Sequence, residues 1–256
     1  MGKSQALFDL DTVFAEDDYL YFYSEFLTEE RTDAEVQALV NLLGLDRSLD
    51  IMDLACGYGR HSNRLAGLGH RVTGIERMPG FLEIARNDAA RRGVYVNYLQ
   101  EDIREIEFEQ SYDLVLLLYT AFGYFDDQGN LELLIRIRRA LRPGGRLCFD
   151  VPNRDTFLSN FTPCHVSEKE GNMMIDRLSF DTLTGISHNQ RIIIRNGVRR
   201  DKDISIRIYN PTEIQALLQE AGFESVSIFG SFDGQVISSE ALRLVIVAYK
   251  PVATHG

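Results

Sequence analysis

Basic residues are the first shortage. Among 256 residues, 27 Lys and Arg face 38 Asp and Glu, a formal charge of −11. A general nucleic-acid binder, or a protein that lies on an anionic membrane, would present net basic surface, so the balance argues against both. Cysteine is scarce as well: Cys56, Cys148 and Cys164 are too few and too scattered for a disulfide framework and fit a reducing compartment. No apolar run near the N-terminus is long enough for a signal peptide or a membrane span, and Met1-Gly2 lacks the serine or threonine at position 6 that myristoylation prefers. The expected location is the cytoplasm. His61, His70, His165, His188 and His255 show no paired spacing with cysteines or carboxylates, so no metal is expected. Internal repeats and low-complexity tracts are absent too.

What is present is a stretch that reads as a buried strand breaking into a glycine turn and a helix, Ile51-Met-Asp-Leu-Ala-Cys-Gly-Tyr-Gly-Arg60. Leu49 to Leu54 is mostly apolar, Gly57 and Gly59 let a ligand approach bare backbone, and Leu65 and Leu68 follow at helical spacing. Two ligand classes use such a loop. A dinucleotide site reads Gly-x-Gly-x-x-Gly and holds a pyrophosphate on backbone amides and the helix dipole. Here Ser62 stands at the third glycine, and Asp53 would repel a phosphate but suit a ligand carrying an ammonium group. Glu76, where a second strand should end, can accept hydrogen bonds from a ribose in either class.

Asp53-x-Ala55-x-Gly57-x-Gly59 resembles the first motif of class I S-adenosylmethionine-dependent methyltransferases, with Ala55 where many members carry glycine. The resemblance continues through Glu76, Asp102 and Pro143-Gly144-Gly145, covers roughly residues 49 to 152, and extends more loosely to the C-terminus. It implies an α/β, Rossmann-like fold: a seven-stranded, mostly parallel sheet with an antiparallel last strand, to which the local pattern after residue 160 adds a small antiparallel β insertion. It also implies S-adenosylmethionine as cofactor and S-adenosylhomocysteine as product. The residues it assigns to the cofactor are Asp53, Ala55, Cys56, Gly57, Gly59, Glu76, Arg77, Met78, Asp102, Ile103 and Tyr119. Among these, Glu76 would take the ribose, while Met78, Asp102 and Ile103 would surround the adenine.

Elsewhere the pattern is read from local spacing. Residues 8 to 30 are dense in aromatics, including Phe8 and Phe14, and Tyr19, Phe22, Tyr23 and Phe26 share one helical face. That face either packs on the domain or makes residues 1–30 a lid; tyrosine hydroxyls suit a half-wet wall. Thr32 or Asp33 is expected to cap a helix carrying Val36, Leu39, Val40 and Leu43. Tyr112 to Leu118 reads as a central parallel strand, and Tyr119-Thr-Ala-Phe-Gly-Tyr-Phe125 lies at its carboxyl end, where open α/β sheets bind ligands. This loop resembles the Ser-Phe-Gly-Tyr-Phe loop of one small-molecule methyltransferase branch, with Ala121 at the serine. Tyr19, Tyr23, Phe122 and Tyr124 are therefore expected around the methyl acceptor. Asp150 and Asn153 could suggest a catechol-type metal site, but Tyr119 stands where that site needs an acid.

After residue 160 the composition shifts to three β-like runs, Met173 to Phe180, Ile186 to Arg195 and Asp201 to Tyr209, with a hairpin signal at Asn196-Gly197. They carry Arg191, Arg195, Arg199, Arg200, Lys202 and Arg207, the basic part of an acidic chain. Residues 161–209 are expected as a β-rich insertion into a cofactor-binding domain of residues 1–160 and 210–256. The insertion would cap the pocket or pair two subunits in a homodimer. Asn210-Pro-Thr-Glu213 is a helix-start signature, and Phe223 to Phe229 and Leu242 to Tyr249 read as the last two strands.

The function expected is methyl transfer to a small molecule. The aromatic loop and the insertion look like those of sugar- and antibiotic-modifying N-methyltransferases, which implies a nitrogen acceptor. Tyr119, His165 and His188 are candidates for proton transfer, and no spacing selects among them. Cys56 reads as a small turn residue rather than a nucleophile. Three alternatives stay open: an RNA or protein methyltransferase using the basic insertion, a nicotinamide-dependent oxidoreductase, and a cofactor-binding protein without catalysis. The first lacks the Asn/Asp-Pro-Pro-aromatic sequence after the fourth strand, where Thr120-Ala-Phe-Gly stands.

Overall fold

Apolar runs bounded by glycine and proline set the strands. A computed structural model describes residues 6–13 and 16–252; Met1-Gly2, Phe14 and His255, singled out above, lie outside the described residues. β1 (Asp50–Leu54), β2 (Arg71–Glu76), β3 (Asn97–Gln100), β4 (Tyr112–Leu117) and β5 (Leu141–Pro152) run parallel. β6 (Cys164–Lys169), β7 (Asn172–Asp181), β8 (Ile186–Arg195) and β9 (Val198–Arg207) make a separate antiparallel sheet in that order. β10 (Glu224–Phe229) and β11 (Arg243–Tyr249) return to the first sheet, whose order is β10-β11-β5-β4-β1-β2-β3, with β11 antiparallel to both neighbours. The expected seven-stranded sheet with a reversed last strand, and the smaller antiparallel sheet beside it, are both present.

Chain order reverses between β1 and β4, so a crevice opens beyond their carboxyl ends. Ile51, Met52, Leu54, Leu114, Val115, Leu116 and Leu117 are wholly buried there, as strands covered on both faces require.

The helices are α1 (Leu10–Val13), α2 (Glu16–Tyr23), α3 (Glu29–Leu43), α4 (Arg60–Gly67), α5 (Pro79–Arg92), α6 (Asp127–Ala140), α7 (Arg154–Ser159) and α8 (Pro211–Glu220). α8 has the full reciprocal cap between Asn210 and Glu213 that its sequence announces. The cap of α3 differs from expectation. Thr28, not Thr32 or Asp33, accepts the hydrogen bond from the Arg31 N–H, and Glu29 and Glu30 occupy the first turn, where their charge suits the helix dipole.

The second sheet also has one strand more than the sequence suggests. β6 gives no alternating apolar signal because five of its six residues are exposed at the sheet edge. α2 is tied to the inner part of this sheet: Phe22 packs with Met174 and Ile193, and the buried carboxylate of Asp18 accepts from Arg200 Nε at 3.0 Å and Nη2 at 2.6 Å.

Candidate active site

The glycine loop is shaped by left-handed backbone. Ala55, Gly57 and Gly59 have φ of 50°, 54° and 74°. A Cβ at Gly59 would sit 2.1 Å from the Tyr98 hydroxyl oxygen and 2.8 Å from the Ala85 Cβ, so glycine is needed there for helix–strand packing. Gly59 therefore holds the loop without forming the cleft wall.

Asp53 closes β1 with 3% of its surface exposed and accepts a 2.5 Å hydrogen bond from Ser62 Oγ. Burial pushes its carboxyl up to about 6, opposed by the Ser62 hydroxyl and the charge of Arg60. Glu76 accepts from the Gly57 N–H at 2.9 Å and from the Met78 N–H at 2.8 Å, locking the loop after β1 to the loop after β2. Its carboxyl is raised by burial, against those backbone bonds.

Asp53, Ala55, Cys56, Gly57, Glu76, Arg77, Met78, Asp102, Ile103 and Tyr119 all line one cleft at the carboxyl end of the sheet. The structure thus brings together every residue assigned above to the cofactor except Gly59. Asp102 is more constrained than expected. Burial would raise its carboxyl, but Arg104 and Arg77 outweigh this and hold it below the usual range, with Arg104 Nη2 at 2.7 Å and Arg77 Nη1 at 3.1 Å. Cys56 is a poor nucleophile, its thiol pushed well up by burial and by the neighbouring carboxylates Asp53 and Glu76.

Sequence reasoning missed a cluster around Tyr119. Tyr119 and Thr120 both have φ of 62°, a strained conformation for consecutive non-glycine residues. The turn is held by Asp150, fully buried, which accepts from the Tyr119 N–H at 2.6 Å and is paired with Arg243. Asp150 is thereby committed to the backbone rather than to a metal, and among the described residues no His, Cys, Asp and Glu side chains gather as a metal site. The Tyr119 ring carries the Arg60 guanidinium 4.1 Å from its centroid and stacks on His61 at 5.4 Å. Glu35 on α3 pairs with Arg60, with Arg31 at 2.9 Å and with His61 Nε2 at 3.2 Å. Burial takes His61 down to about 4, so it is neutral at pH 7. Arg60 and His61 follow Gly59 directly and face the cleft; their position at the helix start was the available signal.

A second cavity of about 270 Å³ adjoins the first, between α2, the loop after β4 and the inner face of β7 to β9. Tyr19 and Tyr124 line both cavities, and Tyr23 lines the second. Phe122, expected at the acceptor, is instead a core residue: it is fully buried and packs on Phe149 at 5.0 Å and Tyr209 at 5.7 Å. His165 and His188 are not brought to either cavity. His165 is exposed on the edge strand β6, and His188 is exposed on β8 with its Nδ1 2.8 Å from Ser205 Oγ.

The fold is that of the S-adenosylmethionine-dependent α/β methyltransferases. Residues 51–145 match the sequence family described as a methyltransferase domain. The chain is similar to the CcbJ methyltransferase of Streptomyces caelestis, with a TM-score of 0.77 and 20% identity over 92% of this chain and 96% of that one. It is also similar to the sugar N-methyltransferase KedS8 of a Streptoalloteichus species, with a TM-score of 0.66 and 18% identity over 98% and 96%. In sequence it is 26% identical over 215 residues to the dTDP-4-amino-2,3,4,6-tetradeoxy-D-glucose N,N-dimethyltransferase of Saccharopolyspora spinosa, spanning 79% of this chain and 83% of that protein. The expected enzyme class is borne out: the chain carries a methyltransferase domain on the fold shared by these enzymes.

Proposed function

We propose that the chain transfers the methyl group of S-adenosylmethionine to a nitrogen of a small molecule seated in the second cavity. The observation that carries this reading is the shared wall: Tyr19 and Tyr124 border both the glycine-loop cleft and the cavity beside it. In it, Asp53 takes the cofactor's ammonium, Glu76 the ribose, and Met78, Asp102 and Ile103 the adenine end. The sulfonium lies at the aromatic boundary, where cation–π attraction contributes about 0.5–2 kcal/mol.

Transfer is an in-line displacement. The nitrogen lone pair forms the new N–C bond while the C–S bond breaks, the sulfur keeps the electron pair as a neutral thioether, and the nitrogen then sheds a proton. Enclosure and alignment supply much of the acceleration. A neutral amine needs no strong base, which agrees with a boundary built from tyrosines; Tyr119 remains the candidate nearest the cofactor for moving the proton. The names of KedS8 and of the Saccharopolyspora enzyme, a sugar N-methyltransferase and an amino-sugar N,N-dimethyltransferase, support nitrogen over oxygen.

We assign residues 1–160 and 210–256 to the catalytic domain and 161–209 to its cap, with the open edge of β6 as the surface through which two caps would pair. A chromatographic mass matching one chain would remove that pairing. Three unpaired cysteines suit a cytoplasmic setting, and no helix among the described residues is long and apolar enough to cross a membrane.

Charge pairing disfavours a nucleic-acid substrate. Arg191 pairs with Asp176, Arg195, Arg200 and Lys202 with Asp18, Arg199 with Asp201, and Arg207 with Asp127. Each of these cations has a carboxylate partner within the protein, Arg195, Arg200 and Lys202 sharing Asp18, which disfavours their use as a phosphate-binding stripe. The test is a screen of small-molecule amines and alcohols with methyl-labelled S-adenosylmethionine, reading product masses and fragments. Methylation of oxygen alone would overturn the nitrogen assignment, and methylation of tRNA alone the acceptor class.

A further inference from the structure

A charged row crosses the face of the second sheet that borders the second cavity. Asp176 on β7, Arg191 on β8 and Lys202 on β9 stand in register, with Leu178, Ile193 and Ile204 in the flanking rows. Arg191 and Lys202 line the cavity itself. Like charges directly opposite on neighbouring strands weaken a sheet, so folding alone does not favour this pair.

Neither cation is used up by its partner. Arg191 gives Nε and Nη2 to Asp176, at 2.7 and 3.1 Å, and Tyr23 on the cavity wall is its other hydrogen-bonding neighbour. Asp18 has both oxygens taken by Arg200 and a further contact from Arg195. Lys202 Nζ therefore stands 3.6 Å from Asp18 and donates to the Val13 carbonyl at 3.3 Å. Three cations share that one carboxylate. The side chains of Arg195 and Arg200 are 25% and 39% exposed and meet water, whereas Lys202 is 5% exposed and meets the cavity. A buried ammonium with donors to spare is stabilised by an added anion.

Asn189, one row from Arg191 on the same wall, makes a second demand. Its Nδ2 donates to Asp176 at 2.8 Å, which fixes the orientation of the amide, and its Oδ1 is buried with no hydrogen-bond partner. A donor from a ligand would satisfy it. The loop that carries Tyr124 meets the sheet further along: the Arg207 N–H, five residues from Lys202 on β9, donates to the Gly123 carbonyl at 2.8 Å. Cation pair, lone acceptor and tyrosine boundary thus follow one another along the cavity.

We propose that the methyl acceptor is an amine that also carries a carboxylate several bonds away. Arg191 and Lys202 bind the carboxylate, Asn189 accepts one N–H of the amine, and the nitrogen lone pair is left for the methyl group. Asp18 on the same wall repels a second negative charge, so a carboxylate fits better than a phosphate dianion. The inference rests on the reading that the second cavity holds the acceptor.

The test is labelled methyl transfer to matched amines: γ-aminobutyrate, ε-aminocaproate and para-(aminomethyl)benzoate, each beside its primary amide, and para-(aminomethyl)phenyl phosphate beside the last. Rates are referred to the neutral amine. At least one acid should exceed its amide in kcat/KM by about tenfold or more, the size expected of a hydrogen bond between charged groups. Lys202→Met is close in size and leaves Asp18 to Arg200; it should cut that ratio severalfold, and Lys202→Arg should keep more of it. A change that merely loosened the cap would lower both rates and leave the ratio alone. Amides used as well as their acids, or used alone, overturn the inference, and so does a ratio unchanged in Lys202→Met. A phosphate preferred to its carboxylate overturns the single-charge assignment. Failure to methylate any amine, these or those of the wider screen, while S-adenosylhomocysteine still binds would instead remove the nitrogen reading on which the inference stands.

Discussion

The Ser62 hydroxyl on α4 donates a 2.5 Å hydrogen bond to the Asp53 carboxylate on β1, across the turn that links the two elements. Ser62 occupies the position where a dinucleotide fingerprint places its third glycine, so the departure from that fingerprint holds the acid that excludes a phosphate. Ser62→Ala removes a donor that favours the ionised form, and the Asp53 carboxyl should then titrate above its present value. Affinity for S-adenosylhomocysteine at pH 7 should drop severalfold and recover as pH is raised; calorimetry at pH 7 and 8.5 checks both.

Asp53 also sets a pH limit for the unaltered protein. Its carboxyl is raised to about 6 by burial, so it is mostly ionised at pH 7 and becomes protonated below about 6. Protonated, it keeps a neutral carbonyl acceptor but loses the charge that attracts an ammonium. Affinity for S-adenosylhomocysteine should be flat from pH 7 to 8 and fall by up to about tenfold per unit below pH 6. A curve flat to pH 5 would detach Asp53 from the ligand.

The same burial predicts that Asp53→Asn stabilises the fold while impairing binding. The native state holds the Asp53 proton more tightly than the unfolded chain does. Stability is therefore lost as pH rises from about 4 to about 6, and the whole penalty is present above that. Two pKa units correspond to about 3 kcal/mol. Asparagine carries no charge and can still accept from Ser62, so denaturant unfolding at pH 7.5 should show a gain of about that order, vanishing near pH 4.

Gly59→Ala should cost about 1–3 kcal/mol by overpacking, since its Cβ would collide with Tyr98 and Ala85 on a backbone already at φ 74°. Removing the obstructing hydroxyl gives a directional check. Measured by denaturant unfolding, Gly59→Ala should cost less in a Tyr98→Phe background than alone.

Phe122→Ala separates a packing role from a substrate role. The fully buried ring, set against Phe149 and Tyr209, should make this change cost about 3–5 kcal/mol of stability. Tyr124→Ala, on the wall between the cavities, should lower kcat with less effect on stability. A stable Phe122→Ala with a raised acceptor KM would return Phe122 to the substrate.

What could be read in advance was local. β1, β4 and the glycine loop announce themselves through contiguous apolar runs and turn glycines, and the hairpin at Asn196-Gly197 is realised with φ of 53° and 74°. Asp53, Glu76 and Asp102 lie at or just past the carboxyl ends of three neighbouring strands of one sheet, so order alone brings them together. The cluster of Glu35, Arg60 and Tyr119 had no such signature, because its members come from α3, α4 and the end of β4 and meet only after folding. Phe122 misled for a related reason: an aromatic beside a loop glycine reads the same whether its ring faces a ligand or the core. β6 stayed hidden because an exposed edge strand carries little hydrophobic pattern.

Asp18 ties Glu16–Tyr23 to β9 through Arg200 and Lys202, and to the end of β8 through Arg195. Tyr19 and Tyr23 belong to that fastened strip, and the strip also reaches α5, where the Gly80 N–H donates to Glu16 at 3.1 Å and Phe81 packs on Tyr19 at 5.6 Å, so the two rings bridge the second sheet and the domain that carries the glycine loop. If the proposed acceptor cavity is right, changes at Arg195, Arg200 or Lys202 that loosen Asp18 would widen the range of acceptors before they weaken cofactor binding.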